Sequence, residues 1–140
     1  MGGRISAMVK VFLDSNALYW ALIKPSMLGP AARNRIENSV HLCFSAASVF
    51  ELTLKSLKAG EPAGRLLPES FGLMAIAAGL HEVPLRTEHA DLAKSFLDFG
   101  SGDPVDRMIL AQALHENAVL LTSDQKMLAM GRDWIVDAQI

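Results

Sequence analysis

Short apolar runs alternate, from one end of the chain to the other, with longer stretches whose apolar residues recur at helical spacing. "VKVFLD" is mostly apolar and ends abruptly in an acid, the pattern of a buried strand. "SNALYWALI" follows as a helix, and "GPAARNRIENS" predicts a second, with Pro30 near its first turn and Asn38 near its end. "VHLCF" is the next strand; Ser45 then caps "AASVFELTLKSLKA", which stops at Gly60. "EPAGRLLPES" reads as a loop before a short helix ending at Gly79, and "HEVPL" as a weak strand that Pro84 confines to an edge or a strand end. Thr87 is the expected cap of a helix through Phe96. A glycine loop, a helix from Pro104 to about Glu116, the strand "AVLLTS", a short helix after Asp124 and a last strand near "WIV" complete the series. This alternation predicts an α/β fold with a central, mostly parallel sheet of about five strands flanked by helices. No internal repeat or linker interrupts it, so residues 8–140 are expected to form one domain. Met8 opens a cleaner start, "MVKVFLD", so residues 1–7 are expected to be an N-terminal extension or a remnant of cloning.

Composition narrows the class. The chain has 140 residues, enough for one domain with a real core and too few for two. Hydrophobic residues make up 51% but aromatics only 6%, so the core is built mainly from Leu, Ile, Val, Met and Ala. With 13 basic residues against 15 acidic ones and a net charge of −2, binding of nucleic acid by bulk charge is disfavoured. A local basic patch, or a site where metal ions supply the positive charge, stays open. The single Cys43 reads as a small buried hydrophobe. No apolar run reaches transmembrane length and "MGGRISAM" lacks the centre of a signal peptide, so a cytoplasmic protein without a membrane segment is expected.

The acids carry the chemistry. Asp14 and Asp124 each sit where a buried strand gives way to a helix, and Asp103 and Asp106 at the mouth of an apolar helix; helix capping is a sufficient role for any one of them. Glu51 lies inside a helix with Ala47, Phe50 and Leu54 at helical spacing, while Asp106 is aligned with Ile109, Leu110 and Ala113. An acid on such a stripe needs a partner that capping does not supply. In a parallel α/β sheet the chain enters its helices at the carboxyl edge, where ligands bind, so Asp14, Glu51, Asp106 and Asp124 all belong to that edge. Converging carboxylates repel one another and hold protons more tightly unless a cation is present. Oxygen-only ligands favour Mg²⁺ or Mn²⁺. Four capping acids by coincidence is the alternative.

"FLDSNALYW", "SAASVFELTLKS", "DPVDRMILAQAL" and "LLTSD", in that order and spacing, resemble a PIN domain, and more narrowly the VapC-type ribonuclease toxins of bacterial type II toxin–antitoxin pairs. The likeness runs from Val9 to about Asp124. It implies an acidic site of Asp14, Glu51, Asp106 and Asp124, with Asp103 as an auxiliary metal ligand that mostly positions Asp106. Asn16, Thr122 and Ser123 match small polar positions that orient carboxylates or waters, and ordinary turn chemistry is the competing role for each. Two positions depart from the pattern: "DFGSGD" lacks the His and basic residues often found before "DPVD", and Val105 replaces an aromatic.

The resemblance further implies metal-dependent hydrolysis of RNA phosphodiesters, leaving a 5′-phosphate and a 3′-hydroxyl. One or two Mg²⁺ or Mn²⁺ ions would activate water and stabilise charge on the attacked phosphate. Arg107, Lys55 and Lys58 are weak RNA-binding candidates. A homodimer and a cognate antitoxin that enters the acidic crevice are the partners implied, with Leu18, Tyr19 and Trp20 as a contact surface or, more commonly, as helix core. The four histidines have no metal-ligand spacing partner. The rivals are a haloacid-dehalogenase-like phosphatase, disfavoured because Asn16 stands where its second Asp belongs, and a catalytically silent PIN-like binding module.

Overall fold

Val11, Phe12 and Leu13 are all buried in the first strand, and the alternation of their side chains sorts the molecule into two cores. Val11 and Leu13 pack with Leu18, Phe44, Leu52, Phe71 and Leu121 on one face of the sheet. Phe12 packs with Cys43, Phe96, Ile109, Leu110 and Leu120 on the other. The computed structural model describes residues 9–59, 67–99 and 103–140. The expected extension at 1–7, the stop at Gly60 and the glycines at 100 and 102 lie outside the described residues.

The elements are β1 (Lys10–Leu13), α1 (Ser15–Ile23), a 3-10 turn (Pro25–Met27), α2 (Pro30–Glu37), β2 (His41–Ser45), α3 (Ala46–Ala59), α4 (Phe71–Ala77), β3 (His81–Val83), α5 (Thr87–Leu92), a second 3-10 turn (Ala93–Phe96), α6 (Pro104–His115), β4 (Val119–Thr122), α7 (Gln125–Leu128) and β5 (Ile135–Asp137). The sheet order is β3-β2-β1-β4-β5 and every pair is parallel. Helices α1 to α4 supply the first core; α6, α7 and the turn after α5 supply the second. Covering both faces is what lets the strands be apolar throughout.

The sequence boundaries hold at most ends for local reasons. Ser45 Oγ accepts the Ala47 N–H at 3.0 Å at the start of α3. Strand β3 is an edge and stops at Val83, before Pro84. Cys43 is buried, and burial pushes its thiol up to about 11, which makes it chemically quiet. Thr87 does not cap α5. It is the first helical residue; Arg86 holds the extended capping position, and His89 Nδ1 accepts its N–H at 3.0 Å. Beyond Leu92 the helix tightens to 3-10 geometry, so the predicted single helix is two pieces. Leu18 and Tyr19 are buried in the core, with Trp20 packed against it, so this cluster is helix core rather than a contact surface.

This topology creates one crevice. The chain steps outward from β1 to β2 and β3, then returns to the other side of β1 as β4, so strand order reverses between β1 and β4. Leu13 pairs with Leu121, and the Asp14 N–H donates to the Leu121 carbonyl at 3.2 Å. The strands thus stay in register to their ends, and the residues after them emerge together.

Candidate active site

Asp14 leaves β1 with both carboxylate oxygens engaged. Oδ1 accepts the Ala17 N–H at 2.9 Å, capping α1, and Oδ2 accepts the Thr122 hydroxyl at 2.5 Å. Thr122 Oγ1 in turn accepts the Asp124 N–H at 2.9 Å. One buried hydroxyl therefore ties the two strand ends together and fixes both acids. Asp124 Oδ1 caps α7 through the N–H groups of Lys126 and Met127 at 2.8 and 3.2 Å.

Glu51 enters from α3. The Ser15 hydroxyl donates to its Oε1, and Lys55 Nζ lies 3.6 Å from Oε2. Ser15 is a site residue that sequence reasoning missed; its place beside the first acid is the only signal the chain offers. Glu51 does not lie on a buried apolar stripe. Phe50 and Leu54 are exposed, at 60% and 44%, and the buried residues of this turn are Ser48 and Leu52. Glu51 is half-buried because Ser15 of α1 meets it, not because it follows an apolar face. For α6 the stripe holds: Ile109, Leu110 and Ala113 are fully buried below a half-buried Asp106. Asp103 Oδ1 caps the helix through the Val105 N–H at 2.9 Å.

These acids meet. One carboxylate oxygen each from Glu51, Asp103 and Asp106 lie within 4.8 Å of one another. Burial pushes the Asp106 carboxyl from its ordinary 3.8 up to about 7, with Asp103, Asp124, Glu51 and Asp14 adding repulsion. Burial likewise pushes Asp14 up to about 6; the Thr122 and Ala17 hydrogen bonds pull it back, while Asp124 and Glu51 push it further. Capping and clustering are thus compatible: the same carboxylates that start helices converge at one edge. Crowded carboxylates and an oxygen-only donor set fit a hard divalent cation.

The flanking residues divide. Thr122 holds two acids, as described, whereas Ser123 and Asn16 are half-buried next to Asp124 and one residue beyond Ser15. Arg107, the weak RNA-binding candidate beside Asp106, is engaged within the protein. Its Nε and one Nη donate to the carbonyls of Phe96 and Phe99 at 3.2 and 3.0 Å, so it clamps the approach to α6. Lys55 and Lys58 are exposed on α3, beside a cavity that also touches Glu51 and Asp103. The histidines are not scattered. His41 Nδ1 lies 3.1 Å from His81 Nε2, and ring nitrogens of His89 and His115 lie within 4.8 Å of a Glu116 oxygen. Because His89 Nδ1 accepts the Arg86 N–H, a neutral His89 ring carries its proton on Nε2, leaving no lone pair for a cation in this arrangement.

The PIN domain family model matches residues 11–133. Ribonuclease VapC22 of Mycobacterium tuberculosis (strain ATCC 25618 / H37Rv) is 32% identical over 120 residues, covering 86% of this chain and 91% of that protein. Among solved structures, VapBC2 from Rickettsia felis bound to a promoter DNA fragment aligns with a TM-score of 0.59 at 19% identity, over 87% of this chain and 92% of that one. DNA-bound VapBC from Salmonella typhimurium aligns with a TM-score of 0.61 at 20% identity, over 91% and 100%. The sarcin-ricin loop cleaving toxin VapC20 of Mycobacterium tuberculosis gives 0.57 at 15%, over 89% and 98%.

Proposed function

The chain belongs to the PIN domain family, and from that premise we propose that it is a metal-dependent endoribonuclease, the toxin of a toxin–antitoxin pair. A single observation carries the reading: carboxylates from three helix starts and one helix interior crowd one edge of the sheet, two of them with pKa values raised to about 6 and about 7. A fold gains nothing in stability from such crowding. It makes sense as a cation site, and that counts against a silent binding module.

Glu51, Asp103 and Asp106 would hold the ion, with Asp14 and Asp124 completing the acidic wall. Oxygen ligands point to Mg²⁺ or Mn²⁺. When bound, the ion supplies an activated water and stabilises charge on the attacked phosphate. The chain's own residues do the positioning. Thr122 ties the Asp14 carboxylate to the Asp124 backbone, and Ser15 holds the Glu51 carboxylate. Arg107 holds the approach to α6 so that Asp103 and Asp106 keep their place. Among the described residues no Ser-His-Asp arrangement competes for the chemistry.

The named ribonuclease at 32% identity supports RNA as substrate. VapBC toxin–antitoxin neighbours support an antitoxin partner; a cytoplasmic setting and a homodimer belong to the same proposal. No described helix is long and apolar enough to cross a membrane.

The test is cleavage of a mixed transfer and ribosomal RNA pool with Mg²⁺ or Mn²⁺. Wild type should cut only with metal, and Asp14→Asn should not cut. Equal cutting by both proteins would remove Asp14 from the chemistry.

A further inference from the structure

Beside the acid cluster, helix α3 presents two parallel lines of side chains. Glu51, Lys55 and Lys58 follow one another at four and three residues, and Phe50 and Leu54 run alongside them. A cavity of about 500 Å³ opens over these lines, walled by Phe50, Leu54, Lys55 and Lys58 from α3 and by Val105 from α6. Glu51 and Asp103 also line it, so it adjoins the proposed cation site.

Phe50 needs a role. An aromatic ring 60% exposed contributes little to the core, and a neighbour at 44%, Leu54, widens the apolar surface around it. The rim is cationic, since Lys55 and Lys58 are both exposed. An apolar floor with an aromatic face, a rim of ammonium groups and an adjoining divalent-cation site together match one chemistry: a planar base attached to a phosphate chain. The two exposed ammonium groups on the rim favour a polyanion over a purely apolar segment.

We propose that this cavity is the subsite for a nucleotide flanking the cut in single-stranded RNA. Its base stacks on Phe50, and Lys55 and Lys58 meet phosphates leading away from the acid cluster. The inference rests on the ribonuclease reading and adds the residues that hold the substrate. A base can stack in this way only when it is free of its own helix, so unpaired RNA is the expected form. Lys55, now 3.6 Å from Glu51, would turn from that carboxylate to phosphate once a cation occupies the site.

The experiment uses the full chain and a short fluorescein-labelled oligoribonucleotide without secondary structure. Binding is read by anisotropy in Ca²⁺ and cleavage by initial rates in Mg²⁺ or Mn²⁺. Phe50→Ala should weaken binding and raise KM by about 10- to 100-fold, with kcat little changed, and Phe50→Trp should restore both. Lys55→Ala and Lys58→Ala should each flatten the salt dependence of binding by about 0.7 in slope. Because Phe50 is exposed, the Ala variant should keep the wild-type unfolding temperature. Unchanged KM and binding in an active Phe50→Ala protein would overturn the subsite and leave the ribonuclease reading standing. A wild type that neither binds nor cuts RNA would instead remove that reading. A shift of Phe50→Ala from dimer to monomer on light scattering, with RNA affinity intact, would reassign the face to contact between copies and overturn the proposal.

Discussion

Replacing Asp14 with Asn should make the metal-free protein more stable at alkaline pH while removing its activity. Asp14 is buried and its carboxyl is pushed from 3.8 to about 6. In the folded state it therefore holds its proton more tightly than in the unfolded chain. Stability then falls as pH rises through the interval from 3.8 to about 6, and the loss is complete above it. That gap corresponds to about 3 kcal/mol. Asn can still accept the Ala17 N–H, but it offers no second acceptor to the Thr122 hydroxyl, a penalty of about 1 kcal/mol at every pH. The difference between variant and wild type isolates ionisation from that constant penalty. Urea unfolding in EDTA at about pH 4 and about pH 8 should show the variant gaining roughly 2–3 kcal/mol on wild type between the two. Saturating Mg²⁺ should then stabilise wild type at the higher pH and stabilise the variant less, since the ligands Glu51, Asp103 and Asp106 remain but one neighbouring negative charge is gone. A pH-independent difference, or a variant less stable than wild type at both values, would refute the reasoning.

Thr122→Val keeps the side-chain volume but strips a donor from Asp14 and an acceptor from the Asp124 N–H; unfolding free energy should drop by about 2–4 kcal/mol. Since the Thr122 bond lowers the Asp14 pKa, the acid limb of the activity profile should also move to higher pH. Arg107→Ala should cost about 2–3 kcal/mol in urea unfolding by freeing the Phe96 and Phe99 carbonyls, and Arg107→Lys should recover only part of it. The salt dependence of RNA binding should not change in either, which separates a clamp from a phosphate contact. Cation binding must displace protons from Asp14 and Asp106, so apparent Mn²⁺ affinity should rise from about pH 5 and level off above about pH 8. A pH-independent affinity in calorimetric titration would contradict the raised values.

Much of this was legible in the chain because each acid marks a change of pattern. Asp14 ends the apolar run of β1, Asp124 follows that of β4, and Asp103 and Asp106 precede the apolar stripe of α6. The PIN resemblance then gathered them into one set. Hidden were the features that depend on packing between distant elements. Ser15 and Glu51 meet across α1 and α3, and the adjacency of Ser15 to Asp14 does not say which acid its hydroxyl holds. The apolar spacing around Glu51 suggested burial, yet Phe50 and Leu54 face outward because Ser48 and Leu52 occupy the core side of that turn. The sequence offers Arg107 as a weak RNA-binding candidate but not its carbonyl partners, because backbone carbonyls carry no signal in sequence. The two histidine pairs formed for the same reason: β2 lies beside β3, and α5 packs on α6.

The central claim is that these acids form one divalent-cation site, and an Mn²⁺ titration of the RNA-free protein followed by electron paramagnetic resonance at about pH 8 tests it most directly. Wild type should take up Mn²⁺ saturably, and Glu51→Gln and Asp106→Asn should each weaken uptake by at least about tenfold while keeping the wild-type circular dichroism spectrum. Equal Mn²⁺ binding in all three proteins would contradict the account.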